Sequence, residues 1–226
     1  SLPGHGAEID KALGGRVSRV IASGDFRGRV GETLLLPDLG RGQAGRVVVV
    51  GLGSTHSLTR RSFRRALLAA AQAVLRTPAR DALITFSDMA IPDTDIVYAA
   101  RFVAEAFSQA AYRIPAIRSG RTPKGPSLRT VRMMVPGRAE LSATRRSLAV
   151  GDALATGTRL TRDLANLPSN VCTPTHLANT ARQLAKGNRR LRVQILGERE
   201  MRRLRMGALL SVTAGTNEPA KLIVVE

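Results

Sequence analysis

The 226-residue chain is long enough for one large domain, or for one domain and part of a second. Its apolar fraction of 43% excludes a disordered chain, and no apolar run approaches the roughly 20 residues that a transmembrane helix needs. The single cysteine, Cys172, excludes an internal disulfide and suits a reducing cytoplasm. A formal net charge of +18 is the unusual feature of the composition.

Hydrophobic periodicity predicts strands and helices that alternate along the chain. The predicted strands are 33–36, 46–50, 82–86, 128–135, 191–196 and 222–225, and the predicted helices are 59–75, 93–111, 139–166, 175–186 and 198–205. Asp93 or Thr94 is expected to cap the second helix. Segment 113–127 holds three prolines and two glycines, which predict a surface loop.

This alternation predicts an α/β fold. We expect an N-terminal α/β domain over 1–136, with a largely parallel sheet flanked by helices. A long linking helix should lie within 137–168, where Leu141, Leu148, Leu154, Leu160 and Leu164 recur at about helical spacing. Gly151 and Gly157 should weaken it by roughly 1 kcal/mol each. The first elements of a second α/β domain, itself truncated, should follow over 169–226.

Three motifs that could hold a ligand are better explained as local structure. Gly51-Leu52-Gly53 follows a strand as a dinucleotide-binding loop would, but His56 stands where that fingerprint needs a third glycine. Asp88, Asp93 and Asp95 lack the glycine and terminal glutamate of a calcium loop, so helix capping is expected. The histidines are too far apart in sequence for a zinc motif.

The positive charge is concentrated in residues 113–162, which hold eleven Arg or Lys against two acids, a net of +9. Such a stripe is typical of a phosphate-binding surface, and the candidate nucleic-acid-binding residues are Arg118, Arg121, Lys124, Arg129 and Arg132. Arg132 is expected to be the weaker member, because on a regular strand it faces away from Arg129. Genomic base composition could also explain the charge, since only four of the 35 basic residues are lysine.

The run 162–174, Arg-Asp-Leu-Ala-Asn-Leu-Pro-Ser-Asn-Val-Cys-Thr-Pro, is the most informative stretch of the chain. Pro168 should end one helix, and Thr173 or Thr175 can cap the next, with Pro174 near its first turn. This run resembles the junction between the two domains of the leucyl aminopeptidases, the cytosol aminopeptidase family. Segments 24–28, 31–36, 47–53, 128–136, 206–210 and 221–226 are similar to other parts of that family, in the same order.

The resemblance implies a parent enzyme that releases N-terminal amino acids from peptides by two-metal hydrolysis. Manganese, zinc or magnesium would be held by a lysine, several aspartates and a glutamate that lie beyond residue 226 in the family. No catalytic or metal-binding residue is therefore assigned here, and the chain alone is expected to be inactive. The resemblance also implies a cytoplasmic homohexamer, with the chain's own catalytic domain as a partner and no membrane partner. The alternative function is a nucleic-acid-binding module that uses the basic surface of the same domain, so DNA is a possible partner.

Overall fold

A computed structural model describes residues 5–37, 44–54, 57–86, 94–114 and 125–226. Its described residues divide into two compact units, of which the first reaches Arg113 and resumes from 125 to Arg159. The second unit contains Leu160–Glu226. The helices are α1 His5–Ala12, α2 Arg16–Ala22, α3 Arg60–Leu75, α4 Ile96–Ala111, α5 Arg138–Asn166, α6 Pro174–Lys186, α7 Glu198–Arg203 and α8 Gly207–Ser211. The strands are β1 Thr33–Pro37, β2 Arg46–Val50, β3 Asp81–Ile84, β4 Thr130–Met133, β5 Val193–Leu196 and β6 Leu222–Val225.

The strands in the described part of the chain form three pairs, which confirm the α/β class but not the expected predominance of parallel pairing. Strand β3 pairs with β4 in parallel, with Asp81 opposite Thr130 and Ile84 opposite Met133. The pairs β1–β2 and β5–β6 are antiparallel. Within the first unit the difference has a topological reason: a helix crosses between β3 and β4, whereas β1 and β2 are joined by the short connection 38–45, which favours a hairpin.

The core of the first unit lies between α3 and α4. Both helices bury one apolar face, and the β3–β4 pair covers the cluster with partly buried Ile84, Val131 and Met133. The buried members are Phe63, Leu67, Ala71, Ala99, Phe102, Val103 and Ala106. Full burial contributes about 1.5–3 kcal/mol for each large apolar side chain, so this cluster is the main stabilising feature of the unit.

Both core helices begin at polar caps. Thr59 accepts a hydrogen bond from the backbone N–H of Ser62, and the Ser62 hydroxyl oxygen accepts one from the Thr59 N–H. Helix α4 is capped by Asp95, whose Oδ1 accepts from the Tyr98 N–H at 2.7 Å. The prediction of Asp93 or Thr94 as the cap was wrong, because Asp95 is the extended residue that directly precedes the helix.

A buried aspartate fastens the two N-terminal helices together. Asp10, on α1, accepts hydrogen bonds from the Val17 N–H at 2.8 Å and the Ser18 N–H at 3.2 Å. The Ser18 hydroxyl also donates to Asp10, at Oδ2. The bond from this hydroxyl and those from the two backbone N–H groups favour the charged carboxylate, so they lower the pKa of Asp10 below its usual 3.8.

The long helix α5 buries small residues, while its leucines are half-buried, as at Leu148, Leu160 and Leu164, or exposed. Its buried positions are Thr144, Gly151 and Ala155, whereas Leu141 and Leu154 are exposed. A β-carbon at position 151 would lie 2.6 Å from the carbonyl oxygen of Arg101 on α4. Gly151 therefore allows the two helix backbones to approach closely. The sequence indicated only that this glycine would weaken the helix, and did not indicate this packing role.

The second unit begins its own packing at α6. The Thr173 hydroxyl oxygen caps this helix by accepting from the His176 N–H at 3.2 Å, as one of the two predicted alternatives requires. Met201 on α7 is fully buried, and the Glu198 carboxylate accepts a hydrogen bond from the Ala220 N–H at 3.1 Å. Within the part of the chain that the structure describes, no helix has the length and apolar character needed to cross a membrane.

Candidate functional site

The predicted nucleic-acid-binding segment is described only at its C-terminal end. Arg118, Arg121 and Lys124 lie outside the described residues. Arg129 and Arg132 are both exposed, and Arg132 forms an ion pair with Asp81 at 3.5 Å on the open face of the β3–β4 pair. Since both partners of this pair are exposed, it contributes little to stability. The role of these five residues stays a prediction.

The Gly51-Leu52-Gly53 motif has a structural explanation. A β-carbon at Gly51 would lie 2.2 Å from the carbonyl oxygen of Arg29, and the Gly51 N–H donates to the Glu32 carbonyl at 2.8 Å. Gly53 has φ +81° and donates to the Gly28 carbonyl at 2.8 Å. Both glycines therefore serve the close approach of segment 28–32, which supports local structure over dinucleotide binding.

The same segment is held by a carboxylate. Glu32 accepts hydrogen bonds from the backbone N–H groups of Arg29, at 2.9 Å, and of Arg27, at 3.2 Å. These bonds stabilise the ionised form and lower the pKa of Glu32 below its usual 4.5. The turn before β1 is thus built from charge-assisted bonds and does not present a free acid to a ligand.

Only some of the acidic and histidine candidates lie within the described residues. Asp88, Asp93 and His56 lie outside the described residues, Asp95 caps α4, and His176 lies half-buried in the first turn of α6. Among the residues that the structure describes, no three His, Cys, Asp or Glu side chains are grouped so that they could hold a metal ion.

An open groove of about 840 Å³ lies on the first unit, lined by the start of α3, the first two turns of α4 and the first half of α5. We call it the arginine groove, because Arg60, Arg101 and Arg146 line it from three different helices. Its other lining residues are Thr94, Asp95, Val97, Tyr98, Ala143, Ser147 and Val150. The close packing of α5 on α4 at Gly151 brings the third arginine to the site.

Two of these arginines are held by named partners. The Arg60 guanidinium stacks over the Tyr98 ring at 4.3 Å, and the Arg101 Nε donates to Glu105 at 2.8 Å. Tyr98 itself packs edge-on against Phe102, with ring centroids 4.4 Å apart. The Ser147 hydroxyl donates to the Val97 carbonyl and so ties α5 to the start of α4. Arg60, Arg101 and the junction of α5 with the start of α4 are therefore held by contacts within the unit.

The sequence patterns did not predict this groove. Its three arginines lie 41 and 45 residues apart along the chain, so no motif or local charge run unites them. Arg101 and Arg146 each lie within four residues of other lining residues on the same helix, which is the spacing of a helix face, whereas Arg60 is the one lining residue that α3 contributes. Only the packing of the three helices shows that these faces converge.

Comparison with known families places both units in one class of enzyme. Residues 1–121 match the model of the cytosol aminopeptidase family N-terminal domain, and residues 159–226 match the model of that family's catalytic domain. The chain belongs to the cytosol aminopeptidase family. It is the N-terminal portion of a member of this family, as the resemblance implied.

The curated relatives agree with this assignment. The chain is 39% identical to a probable cytosol aminopeptidase of Ralstonia nicotianae over 229 aligned positions, which cover 100% of the chain and 45% of that protein. It is 36% identical to a probable cytosol aminopeptidase of Nitrosococcus oceani, again covering 100% of the chain and 45% of the relative. The chain thus spans somewhat less than half the length of these relatives.

Solved structures show the same fold. A mutant of tomato leucine aminopeptidase superposes with a TM-score of 0.81 at 26% identity, covering 96% of this chain and 42% of that one. The bottromycin maturation enzyme BotP superposes with a TM-score of 0.72 at 29% identity, covering 88% of this chain and 40% of that one. The predicted α/β fold of the leucyl aminopeptidases is confirmed.

Proposed function

We propose that this chain is the non-catalytic N-terminal portion of a metal-dependent leucyl aminopeptidase that releases N-terminal amino acids from peptides. The observation that carries this proposal is the order of the two family matches, with the N-terminal domain model followed by the start of the catalytic domain model. The proposed domains are 1–136, the linking helix within 137–168, and the first part of the catalytic domain over 169–226. The first partner would be the chain's own catalytic domain.

The complete enzyme would use two divalent metals, with manganese, zinc and magnesium as the candidates. The support is a structure of BotP in complex with Mn, one of the similar solved proteins. Bound metals would polarise the scissile carbonyl and activate a water molecule. The described residues of this chain do not fit such a site, because they contain no suitable group of His, Cys, Asp or Glu. We therefore assign it no metal ligand and no catalytic residue.

The assembly and location of the complete enzyme are part of the same proposal. We infer that it is a cytoplasmic homohexamer that acts on peptide substrates. The support for the cytoplasmic location is that the curated relatives are named cytosol aminopeptidases. Sedimentation of the full-length gene product tests the assembly: a hexamer is expected, and a stable monomer at micromolar concentration would contradict it.

Activity is tested by comparing two proteins, the 226-residue chain and the full-length gene product, on leucine p-nitroanilide. The full-length protein should release p-nitroaniline, lose this activity to a chelator and regain it with manganese or zinc. The chain alone should release none under any of these conditions. A full-length protein without metal-dependent activity overturns the proposed function, and metal-dependent turnover by the chain alone overturns its non-catalytic role.

Nucleic-acid binding through Arg118, Arg121, Lys124, Arg129 and Arg132 remains a separate proposal, supported by the local net charge of +9. Binding to duplex DNA should then weaken steeply with salt, because phosphate contacts release counterions. Replacing the first three residues by alanine should reduce the salt slope by up to about three phosphate contacts. A matched control replaces Arg182, Arg189 and Arg190 of the second unit. Equal salt slopes for the two variants would contradict the proposal.

A further inference from the structure

We propose that the arginine groove binds a small molecule that carries two or three linked phosphate groups. This inference concerns the first unit alone and goes beyond the proposed peptidase function. It rests on the convergence of Arg60, Arg101 and Arg146 around one groove of about 840 Å³.

The charge of the lining favours an anion. The lining holds three guanidinium groups and one carboxylate, that of Asp95, a formal net charge of +2, which the Glu105 carboxylate paired with Arg101 beside the groove reduces to +1. The Asp95 carboxylate accepts a hydrogen bond from the Tyr98 N–H at the positive end of α4, which offsets part of its charge. Arginine keeps its charge at every pH at which proteins fold, so the groove remains cationic.

The chemistry of guanidinium favours phosphate among anions. Each planar fork of N–H donors matches two oxygens of one phosphate group, and such charge-assisted bonds are about twice as strong as neutral ones. Two or three arginines on separate helices can bind successive phosphates of one molecule. A single carboxylate or sulfate has only one anionic group and cannot contact them all in this way. Two of the arginine side chains are already positioned, because Arg60 is stacked on Tyr98 and Arg101 is held by Glu105. Little side-chain entropy is therefore lost when the anion binds.

The size and the remaining lining fit a molecule of nucleotide dimensions. Small-molecule sites commonly measure about 300–1,000 Å³, and this groove falls within that range. Val97, Ala143 and Val150 provide an apolar wall beside the arginines. The phosphates could belong to an inorganic chain or to a nucleoside phosphate. The apolar wall and the Tyr98 ring would contact only the second, so the two sources can be separated by experiment.

Tyr98 provides a direct signal for the test. The chain has no tryptophan and two tyrosines, so a Tyr112→Phe background leaves Tyr98 as the only such fluorophore. Inorganic triphosphate is titrated at constant ionic strength of about 0.15 M, where long-range attraction to the cationic surface is screened. We expect a saturable change in Tyr98 fluorescence, and no saturation with sulfate. Calorimetric titration with ATP forms the second arm; tighter binding of ATP than of triphosphate assigns the nucleoside source, and equal binding assigns the phosphate chain alone.

The variants decide whether the groove is the site. Arg60→Gln with Arg146→Gln should weaken triphosphate binding at least about tenfold, the loss expected for one charged hydrogen bond. Arg189→Gln with Arg190→Gln, two exposed arginines of the second unit, changes the net charge equally and should leave binding within about twofold. If the first pair does not fold, Arg146→Glu alone provides the test. Equal losses in both pairs, no saturation, or binding of duplex DNA without binding of triphosphate would each overturn the proposal. None of these measurements uses peptidase activity, so their failure leaves the proposed function untouched.

Discussion

Gly151 on α5 and Arg101 on α4 are in backbone contact: a β-carbon at position 151 would lie 2.6 Å from the Arg101 carbonyl oxygen and 2.8 Å from the Ala104 β-carbon. Neither neighbour is the end of a flexible side chain, so one helix would have to move. This contact sets the distance between the helices that form two walls of the arginine groove.

Gly151→Ala should therefore destabilise the chain, by about 1–3 kcal/mol as for other overpacked positions. The same helix offers a matched control, because a β-carbon at Gly157 would meet nothing within 4 Å. Gly157→Ala should stabilise by about 0.5–1 kcal/mol through helix propensity. Urea unfolding of both variants checks the prediction, and a stabilising Gly151→Ala would show that the two helices are not in close contact.

Gly51→Ala should also destabilise, because the added carbon would lie 2.2 Å from the Arg29 carbonyl oxygen and would force segment 28–32 away from β2. A loss of about 1–3 kcal/mol is expected from the strain. Gly45→Ala, in the connection before β2, meets nothing within 4 Å and should be neutral within about 0.5 kcal/mol. The two variants are compared by thermal unfolding. Equal stabilities of the two variants would contradict this structural explanation of Gly51 and would favour a role in ligand binding.

The sequence patterns located most elements because local periodicity reports on the burial of one face. Strand β2 has the predicted bounds 46–50, and α3 and α5 begin within one residue of their predicted starts. The helices α1, α2 and α8 were missed, because segments of eight residues or fewer show little helical repeat, although α7, with six residues, was located. The extent of parallel strand pairing was overestimated, because pairing depends on which strands are neighbours in the fold and not on the pattern of each strand.

The buried face of α5 and the arginine groove also depend on contacts between helices, which local sequence patterns do not report. The recurrent leucines that predicted the helix α5 did not indicate its buried positions, which are Thr144, Gly151 and Ala155. A close helix–helix contact selects small residues, and such a selection is invisible without the partner helix. The family assignment did not depend on packing, because it rested on segments such as 162–174 that follow one another along the sequence in the same order as in the family.

Thr173→Ala should destabilise the second unit by about 0.5–2 kcal/mol, because the hydroxyl oxygen that accepts from the His176 N–H is lost at the start of α6. Thr173→Ser keeps the acceptor and should retain nearly all of the stability. Amide hydrogen exchange in α6 provides a local measurement: faster exchange at residues 175–177 is expected in the alanine variant alone. Unchanged exchange in that variant would show that Pro174 suffices to start the helix.

The last prediction concerns acid stability at Asp10. Its pKa is lower in the folded chain than the ordinary 3.8, mainly because the Ser18 hydroxyl and the backbone N–H groups of Ser18 and Val17 donate to the carboxylate. A group with a depressed folded pKa stabilises the fold above its unfolded pKa, and this contribution is lost as the pH falls through the folded value. The thermal midpoint of the parent chain should therefore fall as the pH is lowered from 6 to below 3.8, partly through Asp10.

The Asp10→Asn side chain cannot ionise, so this variant should be less stable than the parent at pH 6, and the difference in thermal midpoint should narrow in acid. Ser18→Ala removes the hydroxyl donor and should give an intermediate dependence. A gap between parent and Asp10→Asn that stays constant from pH 6 to pH 3 would contradict the proposed stabilisation of the charged carboxylate.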